Sequence, residues 1–265
     1  MIIAIFFLIG LMVGSFLNVL VYRTRVAEDI FFDRSRCPHC KKVIVWYDNI
    51  PLLSFILLKF RCRNCRKKIS WQYPAVELSL GILFAALGVK YFIIQDFSSW
   101  TTTLYFLGVA VFLVAIFVYD WLYMEIPEIF IWPAIAWSLA FNLLLDFNKG
   151  NFSGDVFSVS TYSGILAAFV AFTFFFLMST LSHEKWMGMG DAYLAIFLGL
   201  ILGWPQIFLA AFFSFFTGSI YGIIAIALGK KKMKSQVPFA PFLVIGTLIA
   251  LFWYQPIVDW YFGLF

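Results

Sequence analysis

Charge is scarce in this 265-residue chain: 12% of its residues are Asp, Glu, Lys or Arg, where a soluble domain carries about a quarter. That shortage excludes an ordinary water-soluble globule, and a mean hydropathy of +0.93 with 63% hydrophobic residues says the same. Histidine is nearly missing, with only His39 and His183 in the chain. Neither stands in a convincing nucleophile arrangement, and His183, beside Glu184 and Lys185, reads as a solvated loop residue. There is no internal repeat and no low-complexity tract, and no glycine-rich phosphate loop or Rossmann fingerprint is present. The first apolar run, MIIAIFFLIGLMVGSFLNVLVYR, lacks a basic segment ahead of it. It therefore reads as a retained helix and not as a cleaved signal.

What the chain does hold is a series of apolar runs near the roughly 20 residues that cross a bilayer as helix. They predict spans near 1–22, 77–95, 102–120, 128–146, 162–182, 190–203, 206–229 and 239–263. The fold expected is an all-α polytopic membrane protein of about eight transmembrane helices, since open sheets leave backbone groups unpaired in lipid. The sixth run is short and abuts the seventh at GWPQ, so seven spans with a re-entrant segment is the competing count. The division expected is a first helix (1–22), a loop domain (23–76) and a seven-helix membrane domain (77–265). Of the 19 Lys and Arg, twelve lie between Arg23 and Lys68, four are Lys230, Lys231, Lys232 and Lys234, and one is Lys185. These 17 fall on one face; Lys90 and Lys149 fall on the other. Positively charged loops stay cytoplasmic, which puts the 23–76 loop inside and both termini outside. The net charge of +5 is thus a topology signal for the lipid bilayer and needs no nucleic-acid partner.

All four cysteines, Cys37, Cys40, Cys62 and Cys65, sit in that loop as two C-x2-C knuckles. Two such turns facing each other make the four-thiolate tetrahedron that Zn2+ prefers, and disulfides, the competing reading along with idle thiols, do not persist in a reducing cytoplasm. Four sulfurs leave zinc no open position, so the role expected is structural: a staple for a loop with too little core to fold alone. His39, inside the first knuckle, reads as a surface residue.

Acids at the edge of apolar spans are costly there and default to function. Asp120 ends LGVAVFLVAIFVYD, and Asp191 ends KWMGMGD, where Gly188 and Gly190 let the backbone bend closely around the carboxylate. In the topology above both lie at the cytoplasmic boundary. Two carboxylates sharing a site do not both ionise cheaply, so one keeps a proton, as in aspartic proteases; the pair then titrates as a unit. Helix capping by either residue is the plainer alternative.

Five stretches now carry a resemblance: GSFLNVLVYR (14–23), CPHCKKVIVWYDNIPLLSFILLKFRCRNCRKKISWQYPAVEL (37–78), DWLYMEIPE (120–128), GMGDAYL (188–194) and PFAPFL (238–243). In this order they resemble the bacterial type IV prepilin peptidases, membrane aspartic proteases of the GxGD kind. The resemblance implies cleavage of the basic leader of type IV prepilins or type II secretion pseudopilins at the cytoplasmic face of the bacterial inner membrane. It implies Asp120 and Asp191 as the catalytic pair, then N-methylation of the new terminus with S-adenosylmethionine, an activity associated with the 23–76 loop. Three departures stand out: Tyr193 where many relatives have lysine, Ala240 where the last motif often has glycine, and Glu128 where Asp is commoner.

The residues left over divide between site and scaffold. Asp48 and Asn49, beside Trp46, Tyr47 and Ser54, are candidates to hold the methyl donor, though the WYDNIPLLSF segment also suits plain packing or an amphipathic stretch lying on the membrane. Glu77 is a site candidate or a charge at a helix N-terminus. Glu125 and Glu128 either attract a basic leader or are solvated loop acids. The rival functions are a peptidase without methyl transfer, an ion-coupled transporter, whose acids normally sit near the midplane with repeat symmetry, and a zinc-tethered assembly subunit. The sequence leaves the oligomeric state open.

Overall fold

A computed structural model describes residues 1–26, 35–92, 96–149, 160–229 and 236–263. The cluster Lys230, Lys231, Lys232 and Lys234, used above for orientation, lies outside them, as do residues 27–34 of the loop and 93–95 of the second expected span. The described residues form nine α-helices and no strand beyond two isolated bridges. Seven helices are long and apolar enough to cross a membrane: α1 (Ile2–Val26), α3 (Gln72–Tyr91), α4 (Phe97–Tyr123), α5 (Glu128–Lys149), α6 (Ser160–Leu181), α8 (Gln206–Ala227) and α9 (Ala240–Phe262). The other two are the five-residue α2 (Leu53–Leu57) and the 14-residue α7 (Met189–Leu202).

The run expected as the sixth of eight spans is this short α7. At 1.5 Å per residue α7 is about 21 Å long, short of the roughly 30 Å hydrocarbon core. It ends at Gly203, whose φ of 68° suits glycine and whose N–H donates to the Gly199 carbonyl at 2.8 Å. A helix this short is tolerated at membrane depth where protein encloses it. Asp191, Ala192, Leu194, Ala195, Phe197 and Leu198 of α7 are all buried, and α7 packs on α5, α6, α8 and α9. Gly199 faces the Ala168 backbone of α6 so closely that a Cβ would collide with it. The Asn142 amide of α5 donates to the Leu200 carbonyl at 2.8 Å.

The chain divides into two compact units, Met1–Ala115 and Ile116–Phe265, with the division inside α4. In the first unit α1 packs along α3. A Cβ on Gly14 would lie 2.7 Å from Glu77 Cα, and one on Gly10 would lie 2.5 Å from the Leu80 carbonyl oxygen. This is the four-residue small-residue spacing that lets membrane helices approach closely. Between the two helices, Phe55 packs on Phe60 and Trp71 with ring centroids 4.8 and 5.1 Å away, a small core for the loop.

The expectation of no internal repeat needs correction. The knuckles are copies of one turn: Cys37 N–H donates to Lys42 O and Lys41 N–H to Cys37 O, and Cys62 N–H donates to Lys67 O and Arg66 N–H to Cys62 O. Lys41 and Arg66, each just after the second cysteine, share φ values of 57° and 58°. Bridges Arg36–Val43 and Arg61–Lys68 close both turns. The sequences RCPHCKKVI and RCRNCRKKI carry the same pattern. The shared turn is what aims two sulfurs from each copy at one point.

Candidate functional site

Cys37, Cys40, Cys62 and Cys65 are brought together, with all four Sγ atoms within 4.8 Å of one another. None is in a disulfide. Sγ of Cys37 and Cys65 are 3.9 Å apart, close to the roughly 3.8 Å that a tetrahedron with 2.3 Å Zn–S bonds requires. The donor set and its spacing fit Zn2+. Burial pushes the Cys37 thiol up to about 11, whereas the Lys42 backbone N–H brings Cys40 down to about 7. The copies are tied across by Lys42, whose ammonium donates to Asn64 Oδ1 at 3.1 Å.

Next to this centre, and wholly inside the first unit, is a cavity of about 850 Å3. Its walls come from the C-terminal part of α1, the first turns of α3 and the cysteine loop, and they include Asp48, Asn49 and Glu77. The structure thus gathers all three candidates of this region into one place, but it also occupies two of them. Arg63 grips Asp48 through Nε and Nη2, both at 2.7 Å, and lies 5.4 Å over the Tyr47 ring. This pair ties the second knuckle to the WYDN turn. Glu77 Oε2 accepts the Leu52 N–H at 2.8 Å, which holds Leu52 at a φ of 58° and so pins the loop to α3. Ser54 donates to the Tyr47 carbonyl at 2.9 Å.

Sequence reasoning missed one residue of this wall. Asn18 is 2% exposed; its amide nitrogen donates to Gly14 O at 3.2 Å and Tyr73 O at 3.1 Å, and its buried Oδ1 has no partner among the described residues. An asparagine inside an apolar helix was the available signal.

In the second unit, Asp120 and Asp191 are 5% and 9% exposed and near enough for the charge of one to act on the other. Helix α4 continues past Asp120 to Tyr123, so the carboxylate projects from the last turn and not from the helix end. Its Oδ2 accepts the Ala240 N–H at 3.2 Å. Ala240 is the first residue of α9, so Asp120 faces the positive end of that helix. The PFAPFL stretch thereby gives Asp120 a backbone donor, a role that needs no particular side chain at position 240. Asp191 is in the first turn of α7 and is reached by the backbone of Gly188.

The two glycines act differently from the expectation that they let the chain bend. Gly188 has an ordinary extended backbone, φ −76° and ψ 158°, and a Cβ on it would meet nothing within 4 Å. At Gly190 a Cβ would lie 3.2 Å from Ile126 Cβ, so its missing side chain makes room for the α4–α5 connection. Tyr193, two residues past Asp191 and hence on another side of the helix, meets the rings of Trp132 and Phe172 at 5.8 and 6.3 Å. Glu125 and Glu128 are exposed, the latter in the first turn of α5.

Comparison with known proteins follows this division. The bacterial peptidase A24 N-terminal domain matches residues 8–91, and the type IV leader peptidase family matches residues 107–223. The chain is 31% identical to a prepilin leader peptidase/N-methyltransferase of Bacillus subtilis (strain 168), over 97% of each chain. Identity is 33% to the protein of that name from Aeromonas hydrophila, over 96% of this chain and 92% of the relative. It is 30% to a type 4 prepilin-like proteins leader peptide-processing enzyme of Escherichia coli O78:H11, over 92% and 91%. No solved structure matches.

Proposed function

Because the chain belongs to the type IV leader peptidase family, we propose that it cleaves the basic leader from type IV prepilins or type II secretion pseudopilins and then N-methylates the new terminus. The observation that carries the peptidase reading is the pair of buried carboxylates, Asp120 in the last turn of α4 and Asp191 in the first turn of α7, within each other's field. One carboxylate, ionised, takes a proton from water as that water adds to the scissile carbonyl. The other, protonated, donates a hydrogen bond to the carbonyl oxygen. The proton then passes to the leaving nitrogen as the C–N bond breaks. The Ala240 N–H keeps the Asp120 carboxylate in a fixed orientation for either role.

A prepilin presents a cytosolic basic leader joined to a long apolar helix in the bilayer. Its scissile bond therefore lies at the membrane boundary, where acids at the ends of apolar helices belong. This reading sets the enzyme in the bacterial inner membrane with the cysteine loop and dyad facing the cytoplasm and both termini outside, following the excess of Lys and Arg between Arg23 and Lys68. Glu125 and Glu128 offer a weak attraction to the leader.

Zn2+ on Cys37, Cys40, Cys62 and Cys65 has a closed coordination sphere and serves to hold the loop. S-adenosylmethionine, when bound, supplies an electrophilic methyl group to the freed amine. The cavity beside the zinc centre suits it by size, since sites for ligands of that class run to roughly 300–1,000 Å3, and by a lining that mixes polar side chains with the rings of Tyr22 and Tyr73.

The test uses the full-length protein in detergent with a prepilin substrate and with S-adenosylmethionine present or absent. Loss of the leader mass, abolished in Asp120→Asn and in Asp191→Asn, supports the peptidase; processing that survives both substitutions sinks it. A methyl group added only in the presence of S-adenosylmethionine supports the second activity, and its absence leaves a peptidase alone.

A further inference from the structure

Helix α2 divides the cysteine loop between two surroundings. Ser54 and Phe55 face inward: both are buried, and both line the cavity. Leu53, Ile56 and Leu57, at the i, i+3 and i+4 spacing of a single helix face, point outward, and Ile56 and Leu57 are 62% and 70% exposed. Phe60 and Trp71 add to this apolar surface; both are exposed, and their rings stack with centroids 5.5 Å apart. Five large apolar side chains turned outward on so short a stretch call for a cover other than water. What covers them follows from the next helix. Trp71 directly precedes α3, which is long and apolar enough to cross the bilayer, and an exposed tryptophan at the mouth of a span belongs in the headgroup layer. Phe60 and Phe55 both pack against that same Trp71 ring, so α2 lies within a side chain's reach of that layer. Cations rim the surface. Lys59 and Arg61 bracket Phe60, the Ile69 N–H donates to the Phe60 carbonyl at 2.8 Å, and the Arg61–Lys68 bridge sets Lys68 beside Arg61. All three cations are exposed, and no acid occurs between Asp48 and Glu77. Apolar side chains rimmed by Lys and Arg are the make-up of segments that lie in an anionic membrane surface.

We propose that the outward face of α2, together with Phe60 and Trp71, dips into the headgroup region of the bilayer that α3 crosses, and that Lys59, Arg61 and Lys68 bind the phosphates of anionic lipids there. Because the inward face of the same helix is a wall of the cavity, lipid contact on one side steadies that wall on the other. The inference requires only that α3 span the membrane; it holds whether or not the chain cleaves leaders or transfers methyl groups.

The experiment uses the zinc-loaded, full-length protein in single-copy nanodiscs of phosphatidylcholine, alone or mixed with phosphatidylglycerol. A trace of lipid carries a photoactivatable diazirine on its acyl chain next to the glycerol, and mass spectrometry of the digested protein locates the labelled residues after illumination. Label is expected on Leu53, Ile56, Leu57 and Phe60 as well as on Trp71 and the spans. Label confined to Trp71 and the spans overturns the proposal without any variant. Phosphatidylglycerol should raise the α2 label by about threefold or more in the unsubstituted protein, and it should have no such effect once Lys59→Gln, Arg61→Gln and Lys68→Gln are combined. An α2 label indifferent to phosphatidylglycerol in the unsubstituted protein overturns the role given to the cations. Combining Ile56→Glu with Leu57→Glu should cut the label at Leu53 and Phe60 by about tenfold, because charged side chains leave the interface; undiminished label there overturns the dip of α2 into the bilayer. A saturating prepilin substrate should leave the α2 label in place, and its displacement would assign the face to the substrate and sink the proposal. Zinc content and the melting midpoint report that each variant is folded.

Discussion

Asp146 and the Asp120–Asp191 pair lie at opposite ends of the second unit's helices, and the protein treats them in opposite ways. Asp146, near the end of α5, is 0% exposed and accepts three hydrogen bonds from the start of α6: the Ser160 N–H at 2.9 Å, the Thr161 N–H at 2.8 Å and the Thr161 hydroxyl. It satisfies donors that a helix N-terminus leaves orphaned. Asp120 and Asp191 are buried to nearly the same degree, yet among the described residues Asp120 accepts one backbone hydrogen bond, from the Ala240 N–H, and the Asp191 carboxylate has only the Gly188 backbone beside it. Burial of an acid therefore does not mark chemistry by itself. An acid with its lone pairs filled is a structural part, and a pair with lone pairs left over has capacity for water and a substrate carbonyl. The four thiolates of the knuckles belong with Asp146 in this respect, since zinc would fill them.

The contrast breaks most sharply at the dyad. On the mechanism proposed above, Asp120→Asn or Asp191→Asn removes a proton-transfer group while keeping its shape, so leader cleavage should fall by about a thousandfold or more with the thermal midpoint unchanged or higher. A quantified cleavage assay next to a melting curve checks both halves, and a cleavage rate within tenfold of the unsubstituted enzyme would place these acids with Asp146. Cys62→Ser comes next. Structural zinc binds with about 10–16 kcal/mol shared over four ligands, so zinc affinity should drop by about a hundredfold or more and methyl transfer with it, while leader cleavage is the lesser casualty. Zinc competition with a chelator measures this. The same titration has a pH signature: in the metal-free protein Cys37 holds its proton up to about 11 and Cys40 to about 7. Zinc must displace the Cys37 proton at any ordinary pH and the Cys40 proton as well below about 7. Affinity should thus fall with falling pH, and more steeply below 7 than above it. Asp146→Asn is smaller again: it weakens charge-assisted bonds worth about 1.5–3 kcal/mol each to neutral ones. A loss of about 2 kcal/mol in stability is expected, with cleavage per folded molecule unchanged.

How far these sites were legible depended on whether side chains or backbone carried them. Apolar run length foretold the helices to within a few residues, because lipid admits little else. It marked α7 as the short run and left two counts standing, eight spans or seven with a re-entrant segment, since a short apolar run reads alike whether lipid or protein encloses it. The knuckle spacing foretold the sulfur cluster, yet the repeat RC-x2-C-x-K-x-I stood in the sequence and was passed over because only the cysteines were compared. Asp48 and Arg63 are 15 residues apart in sequence, and nothing in a linear pattern pairs them. The Ala240 N–H had no signature at all: every residue but proline carries that donor. Asn18 and Asp146 were visible as polar residues in apolar helices, but only the fold tells a filled acceptor from an empty one.

The smallest effect probes that backbone role. The resemblance noted in the sequence implies glycine where this chain has Ala240, and a side-chain function there would make the departure matter. The contact to Asp120 is made by the N–H, and Ala240 opens α9, where its single methyl is fully buried. Ala240→Gly leaves the donor in place and removes only the methyl, at a cost in stability of about 1 kcal/mol for lost burial and added backbone freedom. Leader cleavage should therefore stay within about twofold at a temperature below the transition, while the melting midpoint falls by a few degrees. A large loss of cleavage in a protein that melts normally would mean that the methyl itself shapes the dyad, and the distinction between filled and unfilled acids would then have to include the packing around Asp120 as well as its hydrogen bonds.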